Sequence, residues 1–278
     1  MTTSKIPAVD IAKDPINVLQ ITDTHLYAVH TGTLLKINTH GSLSAVLESV
    51  EKNEHEIDLI LATGDIAQDA SPTSYQQFIQ YMERFDAPLR WVPGNHDSGD
   101  IMQEIAAEQG LSNKVEVLGN WQFIMLDSSR VNHVDGYLGD DELQCLSSAL
   151  GEAESDPVID HSLVTLHHNP VPGSSAWMRD IGLRNDREFM DIIKGSSTLR
   201  CVVYGHIHQE LDFKVGGIRF FCTPSTCIQF KPEVIDFALD QVNPGYRRLK
   251  LFRDGSIDSE VVRIAGSRFK PDFESEGY

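Results

Sequence analysis

The chain has 278 residues, of which 41% are hydrophobic, and it carries a formal net charge of −18 at pH 7. This length and composition predict one large α/β domain, residues 1–278, and the absence of an apolar run of about 18 residues argues against a membrane-spanning helix. The acidic residues are spread along the chain and the basic residues form no cluster, which argues against a nucleic-acid polymer as a partner.

Two further features concern the compartment. The segment from Met1 to Pro15 is polar and lacks the hydrophobic region of a secretory signal, so we expect a cytoplasmic protein. The cysteines are few and irregularly spaced, which predicts free thiols at Cys145, Cys201, Cys222 and Cys227.

In the first two thirds of the chain, short apolar runs alternate with helical patterns. Buried strands are predicted at Ile16 to Thr22, Ile57 to Ala62, Leu89 to Val92, Val115 to Leu118, Trp121 to Leu126, Ser162 to Leu166 and Cys201 to Tyr204. Helices are predicted at Ser42 to Lys52, from Ser71-Pro72, at Gly99 to Gln109, and after the N-caps Asp140 and Asn185. Loops are expected from Tyr27 to Thr39 and from Pro172 to Leu183.

The last third, residues 209–265, is mostly β. One hairpin is predicted around Gly216-Gly217 and another around Asp254-Gly255, each between two apolar runs. Together with the alternating first part, this pattern predicts two sheets packed on each other, with helices on the outside.

Polar residues of one chemical kind follow five of the predicted strands. They are Asp23 and His25, then Asp65, then Asn95 with His96, then His167, and finally His206 with His208. Open α/β sheets place their ligands at the carboxyl ends of strands, and imidazole nitrogen with carboxylate oxygen suits Zn, Mn or Fe. A single histidine at a strand end is usually structural, so the repetition at five strand ends is what predicts a metal site.

These residues suffice for two metal ions if one carboxylate is shared, and Asp65 is the natural bridge. The first ligand set would be Asp23, His25, Asp65 and His208, and the second ligand set would be Asp65, Asn95, His167 and His206. Paired metals about 3.5–4 Å apart activate water and hold both oxygens of an in-line displacement at phosphorus.

The same motifs, in the same order, resemble the calcineurin-like metallophosphoesterase family. They are Asp23-x-His25, Gly64-Asp65, Gly94-Asn95-His96-Asp97, His167 and Gly205-His206-x-His208, within residues 18–208. The resemblance implies a four-layer α/β/β/α sandwich of two mixed sheets with flanking helices, and a centre of two divalent metal ions (Fe, Mn or Zn). It also implies catalytic roles for His96 at the phosphate and for Asp97 in orienting His96, with Asn95, His96 and His208 beside the substrate.

Secondary motifs resemble the bacterial class III 3′,5′-cyclic AMP phosphodiesterases. They are Gln20 to Leu26, Asn38-Thr39, Leu183 to Asn185 and Thr223 to Ile228, whereas Asn169 departs from the proline of many relatives. This resemblance implies hydrolysis of 3′,5′-cyclic AMP to 5′-AMP, with a small cyclic nucleotide as the partner. A monomer or a homodimer is expected.

Several alternatives stay open at this point. Trp177 in the 172–185 loop would stack on a base, with Arg179 and Asn185 hydrogen-bonding the base or ribose, or Trp177 would only pack the loop onto the domain. His168 would support the site or bond within its loop. Another phosphodiesterase, acting on 2′,3′-cyclic nucleotides or glycerophosphodiesters, and a non-catalytic metal-bound scaffold are the rival functions.

Overall fold

The computed structural model describes residues 13–111, 113–266 and 268–277. The strands β1 to β13 are, in order, Ile16–Ile21, Thr33–Leu34, Ile37–Asn38, Leu59–Thr63, Leu89–Val92, Val115–Leu118, Trp121–Met125, His161–Thr165, Leu199–Tyr204, Leu211–Val215, Ile218–Cys222, Gly245–Leu251 and Ile257–Arg263. The helices α1 to α5 are Thr39–Asn53, Pro72–Met82, Gly99–Gln109, Asp140–Ser155 and Asp186–Lys194.

The N-terminal segment whose polarity suggested a cytoplasmic protein lies, up to residue 12, outside the described residues. Among the residues that are described, no helix combines the length and the apolar character needed to cross a membrane.

Side chains cap the starts of two helices, α1 and α2. Helix α2 begins as predicted, with the Ser71 hydroxyl accepting a hydrogen bond from the Ser74 N–H at 3.2 Å. Helix α1 begins at Thr39, three residues before its predicted start, because the Asn38 side chain caps it by accepting from the Gly41 N–H at 2.7 Å. The predicted N-cap of α4 was wrong by one residue, since Gly139 is the cap and Asp140 is the first helical residue.

The strands form two mixed sheets. The first has the order β13-β12-β1-β4-β5, with β1, β4 and β5 parallel and β12 antiparallel to β1. The second has the order β10-β11-β9-β8-β7-β6, in which the four central strands are parallel and the edge strands are antiparallel. The two predicted C-terminal hairpins are present, and each extends a different sheet.

Three apolar layers hold these elements together. Val18 and Leu61 of the first sheet pack against Trp121 and Phe221 of the second. Helices α1, α2 and α3 cover the outer face of the first sheet, and α4 and α5 cover that of the second. This arrangement is the expected four-layer α/β/β/α sandwich.

Candidate metal centre

The loops after β1, β4, β5, β8 and β9 meet at one edge of the two sheets and bring the predicted ligands together. In the first ligand set, each residue offers one ligand atom within 4.8 Å of the others. The His208 Nε2 atom lies 3.2 Å from Asp23 Oδ1 and 3.3 Å from His25 Nε2. All four side chains are buried, so these atoms converge on one point shielded from water.

The second ligand set converges on His167. Its Nε2 atom lies 3.2 Å from Asp65 Oδ2, 3.2 Å from His206 Nδ1 and 3.3 Å from Asn95 Oδ1. Because Asp65 belongs to both sets, its carboxylate is positioned to bridge two cations.

His168 also has a ring nitrogen within reach of His167 and His206. Its Nδ1 atom, however, shares a hydrogen bond with the Ser128 hydroxyl at 2.9 Å, and its Nε2 atom lies 3.2 Å from the Val134 carbonyl oxygen. With both nitrogens bonded inside the fold, His168 stabilises the neighbouring loop.

Each of the four predicted histidine ligands uses its second ring nitrogen to donate a hydrogen bond. The acceptors are Gln68 Oε1 for His25 (2.7 Å), the Thr63 carbonyl for His167 (2.8 Å), the Ile181 carbonyl for His206 (2.9 Å) and the Ile228 carbonyl for His208 (2.9 Å). These bonds fix the tautomer, so the inward nitrogen of each ring carries a lone pair when that ring is neutral. Two pairs of such nitrogens face each other at 3.2–3.3 Å, an arrangement that cations between them would stabilise. The donor set therefore fits a two-metal centre.

Burial and charge set the protonation of these groups before metal binds. Burial lowers the pKa of His25 and of His206 to about 3, which keeps both rings neutral. Burial also lowers the pKa of His167, but the Asp65 carboxylate outweighs it and raises that pKa to about 9. His167 would therefore have to lose a proton to hold a metal ion at the second ligand set.

The backbone around the ligands is strained. Positive φ angles occur at Asp23 (53°), His25 (47°), Asp65 (48°), His206 (68°) and His208 (45°). Such residues cost about 1–3 kcal/mol each and persist where the surroundings enforce them, commonly at functional sites. Glycine is required beside them, since a Cβ atom on Gly94 would lie 2.2 Å from Asp65 Oδ1.

His96 lies at the edge of the centre. Its ring is half-buried and edge-on to the His25 ring at 5.1 Å between centroids, and its N–H donates to Asp65 Oδ1 at 2.9 Å. Together with Asn95, it lines a cavity of about 770 Å³. A phosphate entering from this cavity would therefore meet His96 and Asn95 first.

Asp97 joins two loops of the centre through their backbones. Its carboxylate accepts hydrogen bonds from the N–H groups of Ile66 (3.1 Å), Ala67 (2.9 Å) and Gly94 (2.8 Å). These bonds join the Asp65 loop to the Asn95 loop, so Asp97 holds the two loops in register. Burial, with a contribution from Asp65, raises the pKa of Asp97 to about 7.

A sequence profile of the calcineurin-like phosphoesterases matches residues 16–210. The chain belongs to the calcineurin-like phosphoesterase family.

Relatives cover nearly the whole of this phosphoesterase. It is 42% identical over 265 residues to the 3′,5′-cyclic adenosine monophosphate phosphodiesterase CpdA of Escherichia coli strain K12, covering 95% of each chain. It is 41% identical over 275 residues to the CpdA of Pseudomonas aeruginosa, covering 99% of this chain and 98% of that one. A dimetal phosphatase from Danio rerio shares the fold, with a TM-score of 0.61 at 16% identity over 91% of this chain and all of that one.

The three residues of this phosphoesterase that were predicted to bind the base or ribose, Trp177, Arg179 and Asn185, differ in their surroundings. Both amide atoms of Asn185 bond to the backbone of Leu138, at 3.0 Å to its N–H and 2.9 Å to its carbonyl oxygen. Asn185 is buried and anchors the start of α5 on the backbone of Leu138. Arg179 is exposed on the surface.

Trp177 packs inward, as in the alternative considered for it. Its ring meets Phe230 and Phe237 edge-on at 5.1 and 5.2 Å, and its Nε1 atom is buried without a hydrogen-bond partner. Phe230 in turn stacks flat on the His208 imidazole, with 4.2 Å between centroids and 10° between planes. Trp177 thus supports the ring of His208, a predicted metal ligand, through Phe230.

Sequence reasoning missed the groups that orient the ligands. Three of them are backbone carbonyls, of Thr63, Ile181 and Ile228, and carry no side-chain signal. Gln68 lies three residues after Asp65, and this proximity is the only signal in the sequence that could have indicated it.

We expect Gln68→Ala to lower metal affinity about 10–100-fold, because His25 would lose the acceptor that fixes its tautomer. Competition with a chelator measures this change. The matched control is Gln77→Ala, since the Gln77 amide donates to the Ala28 carbonyl and not to a ligand. Equal affinities in both variants would contradict the role given to Gln68.

Proposed function

We propose that this phosphoesterase hydrolyses 3′,5′-cyclic AMP to 5′-AMP at a centre of two divalent metal ions. The observation that carries the proposal is the sharing of Asp65 by two sets of ligand atoms, with His96 beside them. The substrate assignment is supported by about 40% identity to CpdA phosphodiesterases over nearly the full length of both chains.

In this proposal, one group of residues holds the metal ions and another group contacts the phosphate. Two bound metal ions would supply Lewis-acid charge and lower the pKa of water. One ion would be held by Asp23, His25 and His208, and the other by Asn95, His167 and His206. Asp65 would be shared by both. Asn95 and His96 contact the phosphate from the open side. Water adds to phosphorus as the bond to the 3′ oxygen breaks, and His96 gives the departing oxygen its proton. The proton that the water loses passes to solvent, from which His96 takes up a proton again.

The nitrogen and oxygen donors suit iron, manganese or zinc, and we propose a metal of this group. All four cysteines are free, which fits the reducing cytoplasm that we propose as the location. A small cyclic nucleotide is the proposed partner, and a monomer or homodimer is the proposed assembly.

A substrate panel tests the proposal. With Mn²⁺ or Fe²⁺ added, the wild-type protein should hydrolyse 3′,5′-cyclic AMP faster than 2′,3′-cyclic AMP or a glycerophosphodiester. A preference for 2′,3′-cyclic AMP or a glycerophosphodiester would contradict the proposal and indicate one of the rival phosphodiesterase activities. Two bound metals with no turnover of any diester would support the scaffold.

Trp177→Ala should destabilise the fold by about 3 kcal/mol and lower hydrolysis of cyclic AMP and of bis(p-nitrophenyl) phosphate by the same factor. The reason is that Trp177 supports Phe230 and hence His208, which serves every substrate. Thermal unfolding and kcat/KM on both diesters measure the two effects, with Asp180→Ala as the control in the same loop. A loss of activity confined to cyclic AMP would instead indicate that Trp177 stacks on the base.

A further inference from the structure

We propose that the organic group of the substrate, an uncharged nucleoside, binds in the cavity between α3 and residues 127–132, and not against the 172–185 loop. The proposal rests on the proposed function only in taking a phosphate ester as the bound molecule. It names where specificity beyond the phosphate resides.

The cavity lies directly beside the metal centre. Asn95 and His96 form part of its wall, and Asn95 Oδ1 is also one of the atoms gathered around His167 Nε2. A phosphate held at the metal centre therefore has its ester oxygens at the mouth of this cavity. The volume of about 770 Å³ lies within the roughly 300–1,000 Å³ of small-molecule sites.

The inner wall suits a flat ring. It includes the buried side chains of Trp91, Met102 and Met125, which belong to β5, α3 and β7. Thioether and aromatic surfaces make favourable contacts with the face or edge of a heterocycle. Because these residues lie on regular elements, the wall is set before a ligand arrives.

The charges of the cavity select against a second phosphate. Four of its carboxylates are Asp100, Asp127, Asp141 and Glu142. Its Lys114 and Arg130 are already paired, with Glu142 and Asp135 respectively. An additional phosphate on the ligand would meet net negative charge, whereas an uncharged nucleoside would not. The cavity therefore favours a mononucleotide over a polyphosphate or a nucleic-acid strand.

On the other side of the centre, two of the three candidates in the 172–185 loop have their contacts within the fold. Trp177 is packed on Phe230 and Phe237, and the Asn185 amide is bonded to Leu138. None of the residues 172–185 belongs to the described lining of the cavity.

Two tryptophan substitutions at the cavity rim test the proposal. Gln103 on α3 and Val131 on the facing loop both line the cavity and are exposed, Val131 to 87%, so Gln103→Trp and Val131→Trp should fold. Asp180→Trp places the same ring on the 172–185 loop, where the Asp180 side chain is 89% exposed. Thermal unfolding checks the fold of all three.

The measurement is inhibition of bis(p-nitrophenyl) phosphate hydrolysis by 5′-AMP and, separately, by inorganic phosphate. Both cavity variants should raise the inhibition constant of 5′-AMP about tenfold or more relative to that of phosphate, because contacts to one base are commonly worth that much. Asp180→Trp should leave this ratio unchanged. A raised ratio in Asp180→Trp alone, or an unchanged ratio in all three, would overturn the proposal.

The same experiment separates the inference from the proposed function. A wild-type protein that binds 5′-AMP through the cavity but does not hydrolyse cyclic AMP would refute the function and keep the inference. Turnover of cyclic AMP with KM unchanged in both cavity variants would refute the inference and keep the function.

Discussion

Asp65→Asn should reduce bound metal from two equivalents to one or fewer and lower phosphodiester turnover by at least about 10³-fold. The carboxylate is the one group shared by both ligand sets, and its Oδ2 atom lies 3.2 Å from His167 Nε2. The amide keeps the shape, and its oxygen can still accept the His96 N–H, but it removes the charge between the two sites. Metal charge stabilisation is worth several kcal/mol in such transition states, and each 1.36 kcal/mol is tenfold in rate.

Metal analysis after gel filtration and steady-state kinetics measure these two losses. Asp69→Asn is the matched control, because Asp69 lies four residues further along the same loop and accepts hydrogen bonds from Ala28, Ser71 and Ser74. That variant should keep both metals. Two tightly held equivalents in Asp65→Asn would show that Asp65 is not the bridge.

His96→Ala should retain both metals and lower kcat by about 10²–10⁴-fold, the range typical of general acid catalysis. The ring is half-buried beside the cavity, and it is the backbone N–H of His96 that bonds to Asp65, so truncating the ring leaves that bond intact. Metal content and kcat, measured on the same preparation, provide the comparison.

His133→Ala serves as the control, since the His133 side chain is 50% exposed and outside the centre. It should behave as the wild type. If His96→Ala instead lost metal as His206→Ala is expected to, His96 would be a ligand and its role as an acid would be wrong.

The ligand residues could be predicted because each lies next to a strong local signal. Strand β5 and helix α3 have their predicted bounds, and Gly94-Asn95-His96 falls in the short turn between them. Parallel strands of one sheet end at a common edge, so a ligand-type residue after each strand implies convergence without further knowledge of the fold.

The supporting contacts could not be predicted, because they depend on which distant segments meet. Trp177 has an aromatic ring in a loop that leaves His167, which suits a base-binding residue. Its actual partner, Phe230, comes 53 positions later in the sequence and reaches it only through the packing of the second sheet. The amide of Asn185 likewise bonds to Leu138, at a separation of 47 residues.

The pairing of β12 with β1 has a consequence for the order in which the chain acquires its structure. The last proposed ligand is His208, yet β1, which leads into Asp23, is flanked on one side by Gly245–Leu251. During synthesis β1 must wait with one edge unpaired until residues 245–251 have left the ribosome. Such late, long-range closure slows folding and leaves an exposed edge open to aggregation. A nascent chain that stops shortly after residue 208 would carry all seven proposed ligand residues and still lack β12, which pairs with β1.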